Sequence, residues 1–212
     1  AARRWITVLA GGPGTGKTYT LARILAVLDD LADGDARIGV CAPTGRAAAQ
    51  VQAAIAADAH APRGIRAVTV HSMLGWRPGS VPRHGRSNKL PFDVVVVDET
   101  SMLPMTAMSA LLAAVRANTR VILVGDPHQL ASVEAGAVLA DLVERAARED
   151  AATDAGGTGA GRIDAGGIGA GGIDTDDPGL RGLPEPERSR AAAGVVTLTH
   201  GYRFGGAIAR LA

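Results

Sequence analysis

Gly11 to Thr18 reads GGPGTGKT and directly follows the apolar run Trp5 to Ala10; the fold turns on this stretch. A glycine, four residues and then Gly-Lys-Thr is the spacing of a backbone turn that wraps a triphosphate. Glycines accept positive φ and leave no side chain between the N–H groups and the anion. A helix should begin where the loop ends, adding the partial positive charge of its N-terminus. Gly11, Gly12, Pro13, Gly14, Thr15 and Gly16 are assigned to the cradle, with Tyr19 beside them. Lys17 is assigned to the β- and γ-phosphates and the Thr18 hydroxyl to Mg²⁺. The competing reading is a chance Gly-rich turn. Against it stand a strand pattern before the loop and an amphipathic helix pattern after it, the context such a motif needs.

Strand and helix patterns alternate outward from the loop. Thr18 to Leu31 sets Leu21, Ile24, Leu25 and Leu28 at helical spacing, and Asp33-Gly34 stops it. Ile38 to Ala42 is a second short strand, followed by Pro43-Thr44-Gly45-Arg46 and an Ala-rich helix with Val51 and Ile55 on one face. Ala67 to Val70 is a third strand and leads into His71, expected on a loop. Residues 77–91, with three prolines and Arg77, Arg83, Arg86 and Lys89, read as an exposed basic loop. The four valines Val94 to Val97 fit a central parallel strand covered on both faces. Pro104 suits the first turn of a helix through Leu111, Leu112 and Val115, and Val121 to Val124 is the next strand. The expected class is α/β, a parallel sheet with helices on both faces. Ligands of such sheets bind at the strands' C-terminal edge, where the phosphate loop, Asp98-Glu99 and Asp126 to Gln129 should converge.

Ala137 to Arg148 reads as a further helix. Asp154 to Ile163 (DAGGTGAGRI) is then nearly repeated by Asp164 to Ile173 (DAGGIGAGGI). Two copies cannot build a β-solenoid, so residues 151–192 are expected to be a disordered insertion. Order should return at Val195 to Leu198. The chain stops at Leu211-Ala212 inside a helix-like pattern, so a fragment is expected.

Lys plus Arg 22 against Asp plus Glu 21 leaves a net charge of +1, so any nucleic-acid binding must rest on a local groove. The single cysteine, Cys41, excludes an intramolecular disulfide and lies in an apolar run, as a small buried hydrophobe would. No apolar run approaches the ~18 residues of a membrane span, and a cytoplasmic protein without membrane contact is expected. The five histidines lack metal-ligand spacing. Aromatics are 3% of residues, leaving Trp76 and Tyr202 as the main candidates for stacking; core packing is the equal alternative for Trp76.

Phosphoryl transfer to water needs a metal, a group to position the water, and donors on the γ-phosphate. Asp98 is placed to hold Mg²⁺ beside Thr18, and Glu99 to orient and deprotonate the water. The alternative for this pair is an acidic helix cap. Gln129 suits sensing of the γ-phosphate, Arg203 a planar fork to it, and Tyr202 a ring for adenine; an exposed arginine is the equal alternative for Arg203.

GGPGTGKT, CAPTGRAA, TVHSMLGW, VVVDETSML, LVGDPHQLASVEAGAVL and LTHGYRF, in that order, resemble motifs I, Ia, Ib, II, III and IV of superfamily 1 helicases, in the RecD-like family. Gly125 to Leu139 resembles most the alpha subunits of exodeoxyribonuclease V. The resemblance covers about 5–150 and 195–212 and implies a P-loop NTPase of RecA-like fold using ATP and Mg²⁺. It divides the chain into an ATPase domain over 1–150, the insertion over 151–192 and a continuation over 193–212. It implies that Lys17 and Thr18 bind phosphates and metal, that Asp98 and Glu99 are the metal and water residues, that Gln129 couples hydrolysis to DNA, and that Arg203 is the motif IV arginine. Pro43, Thr44, Gly45, Arg46, Thr69 and His71 would track a single DNA strand, with movement 5′ to 3′ and with RecB-like and RecC-like partners in double-strand-break repair. Thr100 and Pro127-His128 depart from the family's more usual residues. Nothing before Trp5 reads adenine, and nothing after Ala212 supplies a second RecA-like domain, so the chain alone is not expected to unwind DNA. The alternatives are a free-standing or conjugative helicase, a P-loop kinase acting on a small molecule, and a non-catalytic remnant.

Overall fold

The run before the phosphate loop forms strand β1 (Ile6–Gly11), buried from Thr7 onward. The computed structural model describes residues 5–126 and 194–198. After β1 come α1 (Lys17–Asp30), β2 (Ile38–Ala42), α2 (Gly45–Ala57), β3 (Ala67–Thr69), α3 (Val70–Leu74) and β4 (Val94–Val97). A 3₁₀ turn (Thr100–Met102), α4 (Met105–Ala114), β5 (Arg120–Gly125) and β6 (Val195–Leu198) follow. The strands pair in parallel in the order β3-β2-β4-β5-β1-β6. This is the expected α/β class.

The valine strand shows why the sheet is covered twice. Strand residues alternate between faces, so Val94 and Val96 join Leu21, Leu25 and Leu28 of α1 and Val51 and Ile55 of α2. Val95 and Val97 join Val70 and Leu74 of α3 and Ala107 and Leu111 of α4 on the other side. Parallel strands buried on both faces must be apolar throughout. Burying each Val or Leu contributes about 1.5–3 kcal/mol, so these two clusters hold the sheet. Among the described residues no helix is long and apolar enough to cross a membrane.

One expectation is corrected. His71 lies in α3, not on a loop: the Thr69 hydroxyl accepts from Ser72 N–H at 3.1 Å to start a one-turn helix, and Gly75, at φ 61, ends it. The helix expected through Leu111, Leu112 and Val115 forms as α4, with Val115 as its C-cap; Leu112 is 43% exposed and Leu111 fully buried, because consecutive helical residues point about 100° apart. Of the two alternatives for Trp76, the structure shows core packing. Its half-buried ring packs on the core and stacks on His71 at 5.2 Å between centroids, and its Nε1 donates to Ser80 O at 3.0 Å. Cys41 is the buried hydrophobe expected, with its thiol pushed up to about 12 by burial and by the charge of Asp98.

Arg77, Arg83, Arg86 and Lys89 are exposed on a loop without regular structure. Its end is tied down by buried Leu90, whose N–H donates to Ala114 O at 2.8 Å. Along edge strand β3, Gln52 of α2 acts as a substitute strand. Its Oε1 accepts from Ala67 N–H at 2.7 Å and its Nε2 donates to Ile65 O at 3.1 Å. Gln52→Ala leaves both backbone groups without these bonds and should lower stability by about 1–3 kcal/mol, read from the urea midpoint; an unchanged midpoint would mean that water replaces them freely. The expected helix 137–148, the insertion 151–192 and Gln129, Tyr202 and Arg203 lie outside the described residues.

Candidate nucleotide site

The phosphate loop is built from its own backbone. Gly14 and Gly16 sit at φ 77 and 83, values that a side chain resists, and the Thr15 hydroxyl donates to Gly12 O at 2.9 Å across the turn. A Cβ on Gly11 would lie 2.6 Å from Thr15 Oγ1 and 3.0 Å from Leu198 O, so glycine is what allows β6 to pair beside the loop. No side chain caps the N-terminus of α1, which leaves its first N–H groups for an anion. The Lys17 ammonium folds back over the loop, donating to Gly11 O at 2.6 Å and Gly12 O at 2.9 Å.

Asp98 and Glu99 leave the end of β4 opposite this loop. Pro13 to Tyr19, Asp98 and Glu99 line one cavity of about 710 Å³. The Asp98 carboxyl is pushed up to about 6: burial raises it most, the Glu99 N–H lowers it by hydrogen bonding, the Glu99 charge raises it and the Lys17 charge lowers it. An incoming cation would reverse the effect of burial, so the group is poised to ionise around a metal. The set of one carboxylate, one Thr18 hydroxyl and a backbone anion cradle fits a small hard cation arriving with phosphates. It does not resemble an all-protein metal cage, and no cluster of three metal-binding side chains occurs among the described residues.

The remaining wall was not visible in the sequence. Gln50, Ala53 and Ala54 of α2 close the cavity. Exposed alanines and glutamine on an amphipathic helix read as solvent face, and only the packing of α2 beside α1 turns them inward to the site. Tyr19 is 62% exposed at the rim, and its hydroxyl accepts from Arg23 at 3.1 Å while the guanidinium lies 5.2 Å over the ring. Asp126 is buried at the end of β5 and does not line the cavity.

The strand register Ala42↔Thr69 brings Pro43 to Arg46 beside Thr69 to His71, at the C-terminal ends of β2 and β3. Thr44 Oγ1 accepts from Ala47 N–H at 3.2 Å, as Thr69 does from Ser72, so each hydroxyl caps a helix and keeps its own proton to donate. Thr44, Arg46 and His71 are exposed. Gly45, Gln52, Arg66, Thr69 and Ser72 line a shallow depression of about 620 Å³ along α2 and β3, separate from the nucleotide cavity.

A family model described as an AAA domain matches residues 1–135. The RecBCD enzyme subunit RecD of Mycolicibacterium smegmatis is 54% identical over 153 residues, covering 66% of this chain and 28% of that protein. The same subunit of Mycobacterium tuberculosis is 51% identical over 159 residues, 69% of this chain and 28% of that protein. The ATP-dependent RecD2 DNA helicase of Deinococcus radiodurans is 40% identical over 141 residues, 66% of this chain and 18% of that protein. The chain therefore spans less than a third of the length of these relatives. A family match over more than half of its residues, the phosphate loop among them, means that the chain belongs to the AAA domain family, and its likeness to these relatives makes it a RecD-like member.

Proposed function

We propose that the chain is the ATP-hydrolysing domain of a DNA helicase motor acting in double-strand-break repair and recombination. The convergence of Lys17, Thr18, Asp98 and Glu99 on one cavity carries this reading. ATP fits the cradle, with its β- and γ-phosphates drawing the Lys17 ammonium off the carbonyls of Gly11 and Gly12. Magnesium, when bound, neutralises charge on those phosphates. Thr18 and Asp98 are the residues that would hold the ion. Glu99 orients a water and takes its proton as the water oxygen bonds to the γ-phosphorus and the bond to the ADP oxygen breaks. Gln129 and Arg203, by their place in motifs III and IV, complete the γ-phosphate contacts, and Tyr202 and Tyr19 flank the base.

Pro43, Thr44, Gly45, Arg46, Thr69 and His71 then follow a single strand through its phosphates, which makes binding tolerant of sequence. Movement is 5′ to 3′, and the partners are RecB-like and RecC-like subunits in the cytoplasm.

The test is fluorescence anisotropy of a labelled single strand with the natural polypeptide that carries this chain. Affinity should fall steeply with salt, and Arg46→Ala should weaken it about 3- to 10-fold and reduce the salt slope by about 1. A protein that binds no single strand, or binds one independently of salt and of Arg46, would overturn the DNA-tracking assignment.

A further inference from the structure

The turn that follows Asp98 combines two unfavourable features. Glu99 holds φ 51 and ψ 40, in the left-handed region. The other non-glycine described residue with positive φ is Asp33, in the turn after α1, and a short polar side chain settles into that region more readily than a glutamate does. Ser101, two residues on, is 1% exposed, and its Oγ has no hydrogen-bond partner among the described residues. The groups around it are satisfied: the Thr100 hydroxyl donates to Val97 O at 2.9 Å, Met102 N–H to Glu99 O at 3.0 Å, and Leu103 N–H to Thr100 O at 3.0 Å. Alanine would fit the same space without an orphaned hydroxyl, so the stability of this conformation does not account for a serine. The turn packs against β5, whose end carries buried Asp126.

We propose that Glu99 to Met102 is a two-state element, and that the Ser101 hydroxyl is the positioning group that locks its second state. In that state Glu99 leaves the left-handed region to meet the attacking water, and Ser101 Oγ donates to an acceptor at the end of β5. The inference rests on the hydrolytic reading of Asp98 and Glu99 above. Strain at Glu99 and the missing bond at Ser101 both raise the energy of the observed turn, and the second state relieves both. Packed elements of this kind switch between discrete arrangements and do not deform smoothly. Ser101 acts through Glu99 and touches no substrate.

The experiment compares the natural polypeptide with Ser101→Ala and Ser101→Cys, the second keeping the volume with only a weak donor. Both variants should unfold, without nucleotide, at the parent's temperature or above it. Both should bind a fluorescent ATP analogue within about twofold of the parent's Kd and hydrolyse ATP with kcat about 10- to 100-fold lower at little-changed KM. A kcat within about twofold of the parent removes this inference alone, provided the parent hydrolyses ATP. A lower unfolding temperature overturns it too, because the hydroxyl would then be bonded before nucleotide arrives. If the parent shows no hydrolysis, the hydrolytic reading fails and this inference falls with it.

Discussion

Lys17→Ala lowers the kcat for ATP hydrolysis by at least ~100-fold while barely moving the unfolding temperature of the nucleotide-free protein. The ammonium's hydrogen bonds in the fold go to two part-buried loop carbonyls, Gly11 O and Gly12 O, where water can replace it. Its larger role comes when negative charge builds on the γ-phosphate inside a partly enclosed site, where a fixed cation is worth far more than in water. Removing it also withdraws the positive charge that lowers the Asp98 carboxyl. Asp98 therefore ionises less readily in the variant, and magnesium affinity should fall together with nucleotide affinity. Phosphate release and binding of a fluorescent nucleotide would check this; a variant that retains hydrolysis within about threefold of the parent contradicts the assignment.

Asp98→Asn should abolish magnesium-dependent hydrolysis and at the same time stabilise the nucleotide-free fold at pH 7.5. Burial lifts the carboxyl from its ordinary 3.8 to about 6, so the folded protein holds this proton more tightly than the unfolded chain. Stability associated with the group is fully present below 3.8 and is lost as pH rises through 6. Above that pH the ionised, half-satisfied carboxylate costs about 1–3 kcal/mol, which asparagine avoids. Urea unfolding at pH 7.5 should therefore show the variant more stable than the parent, with the difference vanishing near the lower bound of the window. A variant that is less stable at pH 7.5 would mean that the carboxylate is already paired and that its burial is structural.

A gain in stability with loss of activity is what a binding site held ready for an absent ligand should show. The turn at Glu99 and Ser101 fits the same logic. Local rules are broken there, one residue beyond the carboxylate, while the sheet beneath obeys them.

The sheet was legible because its rules are local. An apolar run such as Val94 to Val97 can be covered only from both sides, and the glycine spacing from Gly11 to Gly16 has few uses other than an anion cradle. Lys17, Thr18, Asp98 and Glu99 could be placed together because strand ends in such a sheet share one edge. What was hidden depends on packing between elements. The one-turn helix at His71 is too short for periodicity to reveal, although Thr69 and Gly75 are cap residues at its two ends. Gln50 looks like surface until α2 lies beside the phosphate loop. Gln52 carries no signal that its amide will replace a strand, and nothing in the residues Thr100-Ser101 tells that one hydroxyl is bonded and the other is not.

The most direct measurement is the rate of phosphate release from ATP by the natural polypeptide carrying this chain, with and without single-stranded DNA and with Lys17→Ala alongside. The motor reading predicts hydrolysis that requires magnesium, rises when single-stranded DNA is added, and disappears in the Lys17 variant. Hydrolysis indifferent to DNA would contradict the roles of Thr44, Arg46 and His71 and leave a different P-loop enzyme. No hydrolysis under any of these conditions would contradict the site itself.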